Sequence, residues 1–150
     1  MAYWLMKSEP SEFSIDDLQT VDIEPWSGVR NYQARNMMRD DMKKGDQAFF
    51  YHSNCKEPGI VGLMSIHKTA YPDDTSWDAT SNYYDPKSSE SNPRWFMVDV
   101  QFVRKLNRTI ALHELKNHKK LANMPLLRRG NRLSIMPVTV QEWQFILSIE

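Results

Sequence analysis

Thiol chemistry in this chain is confined to one residue, Cys55. A lone cysteine excludes an intramolecular disulfide framework and fits a reducing compartment. Together with only four dispersed histidines it leaves too few ligands for a structural zinc site. No apolar run approaches the roughly 18 residues of a membrane span. Met1-Ala2-Tyr3-Trp4-Leu5-Met6-Lys7 meets a charge too early for a secretory signal, so a soluble intracellular protein is expected. Nucleophile-elbow, phosphate-loop and zinc-protease signatures are missing, as are internal repeats and low-complexity segments. Charge of one sign is not in excess either, with 19 Lys and Arg against 19 Asp and Glu.

What is present is an aromatic-rich sequence, with five Trp, six Tyr and six Phe in 150 residues, enough for one domain (1–150) with a real core. The charge is unevenly placed. Between Arg104 and Arg132 there are nine Lys or Arg against one Glu, a pattern that a phosphate-contacting face would produce and that a solvated surface also produces.

The apolar run Ala2–Met6 predicts a buried strand, ended by Lys7-Ser8-Glu9-Pro10. Ser14 and Asp17 form a capping-box pattern for a short helix. Asn31 is the N-cap of a second helix running to about Asp41, with Ala34, Met37, Met38 and Met42 on its apolar stripe and Lys43-Lys44-Gly45-Asp46 as its stop. Strands are predicted over Gln47–Ser53, Ile60–Thr69 and Arg94–Val103, the first two as a hairpin. From Tyr71 to Pro93 periodicity vanishes while aromatics persist, which marks a long functional loop. A short helix over Ala111–Lys116, a helical turn within Leu121–Arg129, a strand over Arg132–Val138 and a helix capped by Thr139 and Glu142 complete the chain. Adjacent central strands exclude a doubly wound parallel fold. The expectation is an α+β chain built on a small curved mixed sheet or barrel with helices at its rim.

The stretch Trp26-Ser27-Gly28-Val29-Arg30-Asn31-Tyr32-Gln33-Ala34-Arg35-Asn36 is unlike a core helix. It joins a flat aromatic, a glycine that lets backbone approach, and cations at a helix start, as a site for a flat polar ligand would. Taken alone, Trp26 is better explained as a core aromatic. Lys7, Ser8, Tyr51, His52 and Ser53 also lie at predicted strand ends, where a compact barrel would gather them into the same pocket. In that reading Trp26 stacks a base, Ser8, Asn31 and Asn36 bond its edge, and Arg30, Arg35 and the basic third hold phosphates. Two rivals stand beside it. One is a small hydrolase using His52, with Ser53 and Cys55 nearby, or a metal held by Asp73, Asp74 and Asp85. The other is a protein-interaction module docking through the aromatic loop.

Longer segments add a resemblance. Tyr3 through Pro10, Trp26 through Asn36, Phe49-Phe50-Tyr51-His52-Ser53, Pro58-Gly59-Ile60-Val61-Gly62, Tyr71-Pro72-Asp73, Tyr84-Asp85-Pro86, Asn92-Pro93-Arg94-Trp95, Val98-Asp99-Val100 and Arg132 through Pro137 resemble the EVE domain. The resemblance covers essentially the whole chain. It implies a PUA-like pseudo-barrel related to the YTH domains, without catalysis, cofactor or metal. It also implies a reader of a modified base, modified cytosine or methyladenine, in DNA or RNA. A bacterial-type cytoplasmic protein, nuclear in eukaryotic relatives, and a monomer or weak dimer would fit it. Lys7 and Ser8, beside Glu9, match the Lys-Ser at the YTH pocket, and Trp26 matches the first tryptophan of the YTH aromatic cage. Gly28 and Val29 belong to the same segment. For the second wall the resemblance leaves Tyr71, Trp77, Tyr84 and Trp95.

Overall fold

The computed structural model describes residues 1–150 throughout. Six strands form one mixed sheet: β1 (Tyr3–Ser8), β2 (Ile23–Pro25), β3 (Gln47–His52), β4 (Gly59–Pro72), β5 (Phe96–Ala111) and β6 (Ile135–Val138), in the order β2-β5-β4-β3-β1-β6. β1 runs parallel to β3 and the other neighbouring pairs are antiparallel.

The continuous apolar character of β1 and β3 follows from burial on both faces. Trp4 and Met6 of β1, with Ala48 and Phe50 of β3, enter one core alongside Ile15, Leu18, Ala34 and Met38. Leu5, Phe49 and Tyr51 point to the other face, into a second core with Leu115, Leu121, Trp143 and Ile146. In that second core the Trp143 indole stacks on Phe49 at 4.0 Å and on Tyr3 at 4.5 Å. The β4–β5 pair carries several register shifts and serves both cores. Val98 and Val100 lie in the first, while Leu106 and Ile110 lie in the second.

Four helices cover these faces: α1 (Ile15–Val21), α2 (Tyr32–Asn36), α3 (Leu112–Leu115) and α4 (Val140–Ile149). The capping boxes read from sequence are formed, Ser14 with Asp17 and Thr139 with Glu142, and the Asn31 side chain accepts from the Ala34 N–H. The helix expected to reach Asp41 is regular only to Asn36 and then widens into a π-helical turn over Met37–Asp41, closed by the Met42 N–H on the Met37 carbonyl. Ala34, Met38 and Met42, spaced by four, are the buried positions. A turn wider than 3.6 residues keeps that spacing on one side, which explains the change of register.

Three further differences from expectation arise from non-local pairing. β2 is absent from the sequence reading because three residues, Ile-Glu-Pro, become a strand only by pairing with Asp99–Gln101. β4 and β5 run to Pro72 and Ala111, beyond the predicted ends, because they pair with one another. The last strand begins at Ile135 rather than Arg132. Both outer strands carry a proline, Pro25 in β2 and Pro137 in β6, which removes ladder donors from the open edges. The sheet is not closed into a barrel, since β2 and β6 do not pair.

Candidate functional site

A cleft of about 630 Å³ opens on residues from opposite ends of this strand order. Glu24, Pro25 and Trp26 come from β2 and the residue after it, while Lys7 and Ser8 come from β1, and Arg132 and Ser134 precede β6. The sheet therefore curls until its two ends face each other, and the gap left by the missing closure is the cleft. Its size falls in the range of small-ligand sites.

The sequence-derived candidates divide cleanly. Lys7, Ser8, Glu9, Trp26, Gly28, Val29, Arg30 and Ser53 line the cleft. Asn31, Arg35, Asn36, Tyr51, His52, Tyr71, Tyr84 and Trp95 do not, and most have other partners. Asn31 is occupied as the α2 cap. Asn36 accepts from Arg35. Tyr51 is buried in the second core, which pushes its hydroxyl up to about 12. His52 Nε2 accepts from the Ile15 N–H at 3.1 Å, and burial holds its pKa below the ordinary histidine value, so the neutral ring is the bonded form. Tyr71 donates to Asp99. The Trp95 indole N–H donates to Asp85 at 2.7 Å, and its ring stacks on Tyr32.

Trp26 is both core and wall. It is only 7 % exposed, set edge-on to Phe50 at 5.5 Å, yet it lines the cleft. The other aromatics lining the cleft are Phe13 and Tyr83, and neither stood among the sequence candidates. Tyr83 lies in the loop without periodicity, so no pattern distinguishes it from its neighbour Tyr84. Glu12, Glu24, Arg132 and Ser134 also line the cleft without having been singled out.

Tyr83 is held by a network centred on Asp73. The fully buried Asp73 carboxylate accepts from the Gly28 N–H at 2.8 Å, from Arg30 at 3.1 Å, and from the Thr75 N–H and hydroxyl at 3.0 and 2.6 Å. Arg30 makes four hydrogen bonds in all, one of them to the Tyr83 carbonyl, and lies between the Tyr83 and Trp95 rings. The Tyr83 hydroxyl donates to Glu12 at 2.9 Å. Arg30 is thus a strut for the loop rather than a cation open to phosphate, and Asp73 is engaged rather than open to a metal. No group of three or more His, Cys, Asp or Glu side chains converges to hold a metal ion.

Gly28 sits at φ +84, where a Cβ would lie 2.8 Å from the Tyr83 ring. Glycine is required here both for the left-handed backbone and for the close approach. Gly28→Ala is expected to destabilise the fold by about 1–3 kcal/mol in urea titrations. A neutral effect would mean that Tyr83 does not rest on this turn.

The cleft's ionisable side chains balance, Lys7, Arg30 and Arg132 against Glu9, Glu12 and Glu24. An anion site would carry net positive charge. This lining instead suits a flat neutral group with hydrogen-bonding edges, walled by Trp26 and Tyr83. Burial lowers the Lys7 pKa, as expected for an amine enclosed without a counter-ion.

Outside the cleft, the basic C-terminal third is partly neutralised. Arg104 pairs with Glu150, Lys105 with Asp16 and Arg108 with Glu114. A separate cationic surface forms around α2, where Arg35 lies over the Tyr32 ring at 4.6 Å and donates to the Arg94 carbonyl, and Arg94 donates to the Tyr32 hydroxyl. Neither arginine has a carboxylate partner among the ion pairs. No helix is long and apolar enough to cross a membrane.

Comparison with known proteins agrees with this architecture. The model of the EVE domain matches residues 2–149. Human thymocyte nuclear protein 1 is 52 % identical over 168 residues, covering 99 % of this chain and 74 % of the human one. A Pseudomonas syringae crystal structure superposes with a TM-score of 0.96 at 51 % identity, covering 99 % of both chains. The crystal structure of human thymocyte nuclear protein 1 in complex with DNA containing 5-methylcytosine superposes at 0.94 with 52 % identity, covering 99 % of this chain and 97 % of the human one. With a match of this length and identity, the chain belongs to the EVE domain family.

Proposed function

We propose that the protein is a non-catalytic reader of a modified base in nucleic acid, with 5-methylcytosine in DNA as the favoured ligand. The observation that carries this is the crystallisation of the human relative with DNA containing 5-methylcytosine, at 52 % identity across nearly all of this chain. The charge-balanced cleft that Trp26 and Tyr83 both line supports it, because it fits an extruded base better than a phosphate. Trp26 is one wall and Tyr83 the other. Lys7 and Ser53 offer donors to the base edge from β1 and the residue after β3, and Ser8, whose hydroxyl donates to the Phe13 carbonyl at 2.6 Å, offers an acceptor. Arg132 at the cleft, and Arg35 and Arg94 on the separate surface around α2, take backbone phosphates.

Energetics assign the roles. A buried methyl contributes about 0.8 kcal/mol, a few-fold in affinity. Extruding a base from a duplex costs a few kcal/mol, against about 1–3 kcal/mol recovered per stacked base. The walls therefore offset extrusion, and the methyl adds a modest preference. Larger discrimination between bases falls to the polar groups of the cleft.

Fluorescence anisotropy with oligonucleotides differing at one position tests this. Tightest binding is expected for 5-methylcytosine DNA, with plain cytosine weaker by a few-fold, and RNA carrying N6-methyladenine as the comparison arm. Equal binding of modified and plain oligonucleotides would sink the reader assignment. The salt dependence of duplex binding should flatten by about one unit of log–log slope in Arg35→Gln, and again when Arg94→Gln is added, if each neutralises a phosphate.

A further inference from the structure

Three carboxylates line the cleft, and their circumstances differ. Glu9 accepts from the Asn54 amide, and Glu12 accepts from the Tyr83 hydroxyl. Glu24 alone has no hydrogen-bonding or ion-pairing partner for its side chain. It occupies the middle of β2, paired opposite Val100, and stands two residues before Trp26. On an extended segment, positions i and i+2 project to the same side. Glu24 and the Trp26 indole therefore reach the cleft together, one as an acceptor and the other as a flat wall.

The surroundings give Glu24 no compensation. Asp17 from α1 and Asp99 from β5 are its nearest charged influences, and both are acidic; with partial burial, which contributes most, they raise its pKa above the ordinary glutamate value. A half-buried carboxylate that has no protein partner and meets only solvent beside a stacking surface is free to take a donor supplied by a ligand. Lys7, across the cleft on β1, is the opposite case, an amine with donors and no acceptor bonded to it. Together they offer one acceptor-only and one donor-only group to the same ligand.

Among pyrimidines this arrangement is selective. The cytosine edge presents a 4-amino donor followed by the N3 and O2 acceptors. Thymine, which carries the same 5-methyl group, presents a 4-oxo acceptor and an N3–H donor. We infer that Glu24 is the residue by which the cleft tells 5-methylcytosine from thymine, accepting a hydrogen bond from the 4-amino group while Lys7 donates to the N3 or O2 side. This rests on the base-reader assignment above and names the group that excludes its deamination product. With thymine in place, Glu24 would face an oxygen lone pair with no proton between them.

The test compares oligonucleotides identical except at one base: 5-methylcytosine, cytosine, thymine and 5-methylpyrimidin-2-one, which lacks the 4-amino group. Wild type is expected to bind 5-methylcytosine about tenfold or more tightly than thymine, because a bond to a charged acceptor is lost and repulsion replaces it. It should bind 5-methylpyrimidin-2-one nearly as weakly as thymine. In Glu24→Gln, whose amide can turn to donate to the 4-oxo group, the ratio of 5-methylcytosine to thymine should fall to within about twofold. A ratio unchanged in folded Glu24→Gln would overturn the inference. So would wild type binding 5-methylpyrimidin-2-one as tightly as 5-methylcytosine, a measurement that needs no variant. The ratio of 5-methylcytosine to cytosine reports separately on recognition of the modification, because the two bases share the 4-amino group. Loss of that ratio alone would overturn modified-base reading while supporting Glu24. Failure of wild type to bind any of the four would overturn both.

Discussion

Replacing Trp26 with alanine is expected to lower the unfolding free energy by about 3–5 kcal/mol, as for large aromatic truncations in cores. The indole is 7 % exposed and shares the first core with Phe50, Val29 and Val98. That loss is a large fraction of the 5–15 kcal/mol typical of a domain. Because the same ring lines the cleft, loss of oligonucleotide binding by this variant would not distinguish a missing wall from a loosened core. Trp26→Phe separates them. It should retain most of the stability in urea titrations while weakening binding of a stacked base severalfold, since the smaller ring covers less of it. Unchanged affinity in a stable Trp26→Phe protein would argue that the ligand does not lie on this surface.

Asp73→Ala should have an effect of similar size through different physics. The carboxylate is fully buried and accepts from Gly28, Arg30 and Thr75, and its loss strands the Arg30 guanidinium between two aromatic rings with no counter-charge. Breaking one partner of such a pair destabilises by about 3–5 kcal/mol. The damage should concentrate in the segment 73–95, visible as faster amide exchange there than in β1 or β3, with reduced binding as Tyr83 loses its seat. The double variant Arg30→Met with Asp73→Ala should be less destabilised than the two single losses added together, since it leaves no orphan charge. Strict additivity would mean that the two residues act independently.

These two residues also show what can be read from sequence and what cannot. That Trp26 and Gly28 share the lining of one cleft is legible, because an aromatic followed by a turn-forming glycine and cations is a local pattern. The helix caps at Ser14, Asn31 and Thr139 were legible for the same reason, each being set by residues three apart. Asp73 was visible only as a loop acid and a possible metal ligand. Its role depends on Gly28 and Arg30, more than 40 residues away. Arg30 looked like a phosphate contact for the converse reason, since nothing local reveals its partner. Tyr83 was hidden among aperiodic aromatics, and β2 became a strand only through residues 99–101. Local chemistry survives in the sequence, whereas pairings across long separations do not.

The unclosed sheet has a consequence for how the protein is made. β1 is synthesised first, but its parallel partner β3 begins 44 residues later, at Gln47 for Tyr3, and its other neighbour is β6. The cleft lacks Arg132 and Ser134 until the last strand is translated. Trp26 itself is seated only once β5 is made, since its backbone N–H donates to the Val98 carbonyl and β2 pairs with Asp99–Gln101. The cleft is therefore completed late in synthesis, when both ends of the sheet and the residues before β6 are in place.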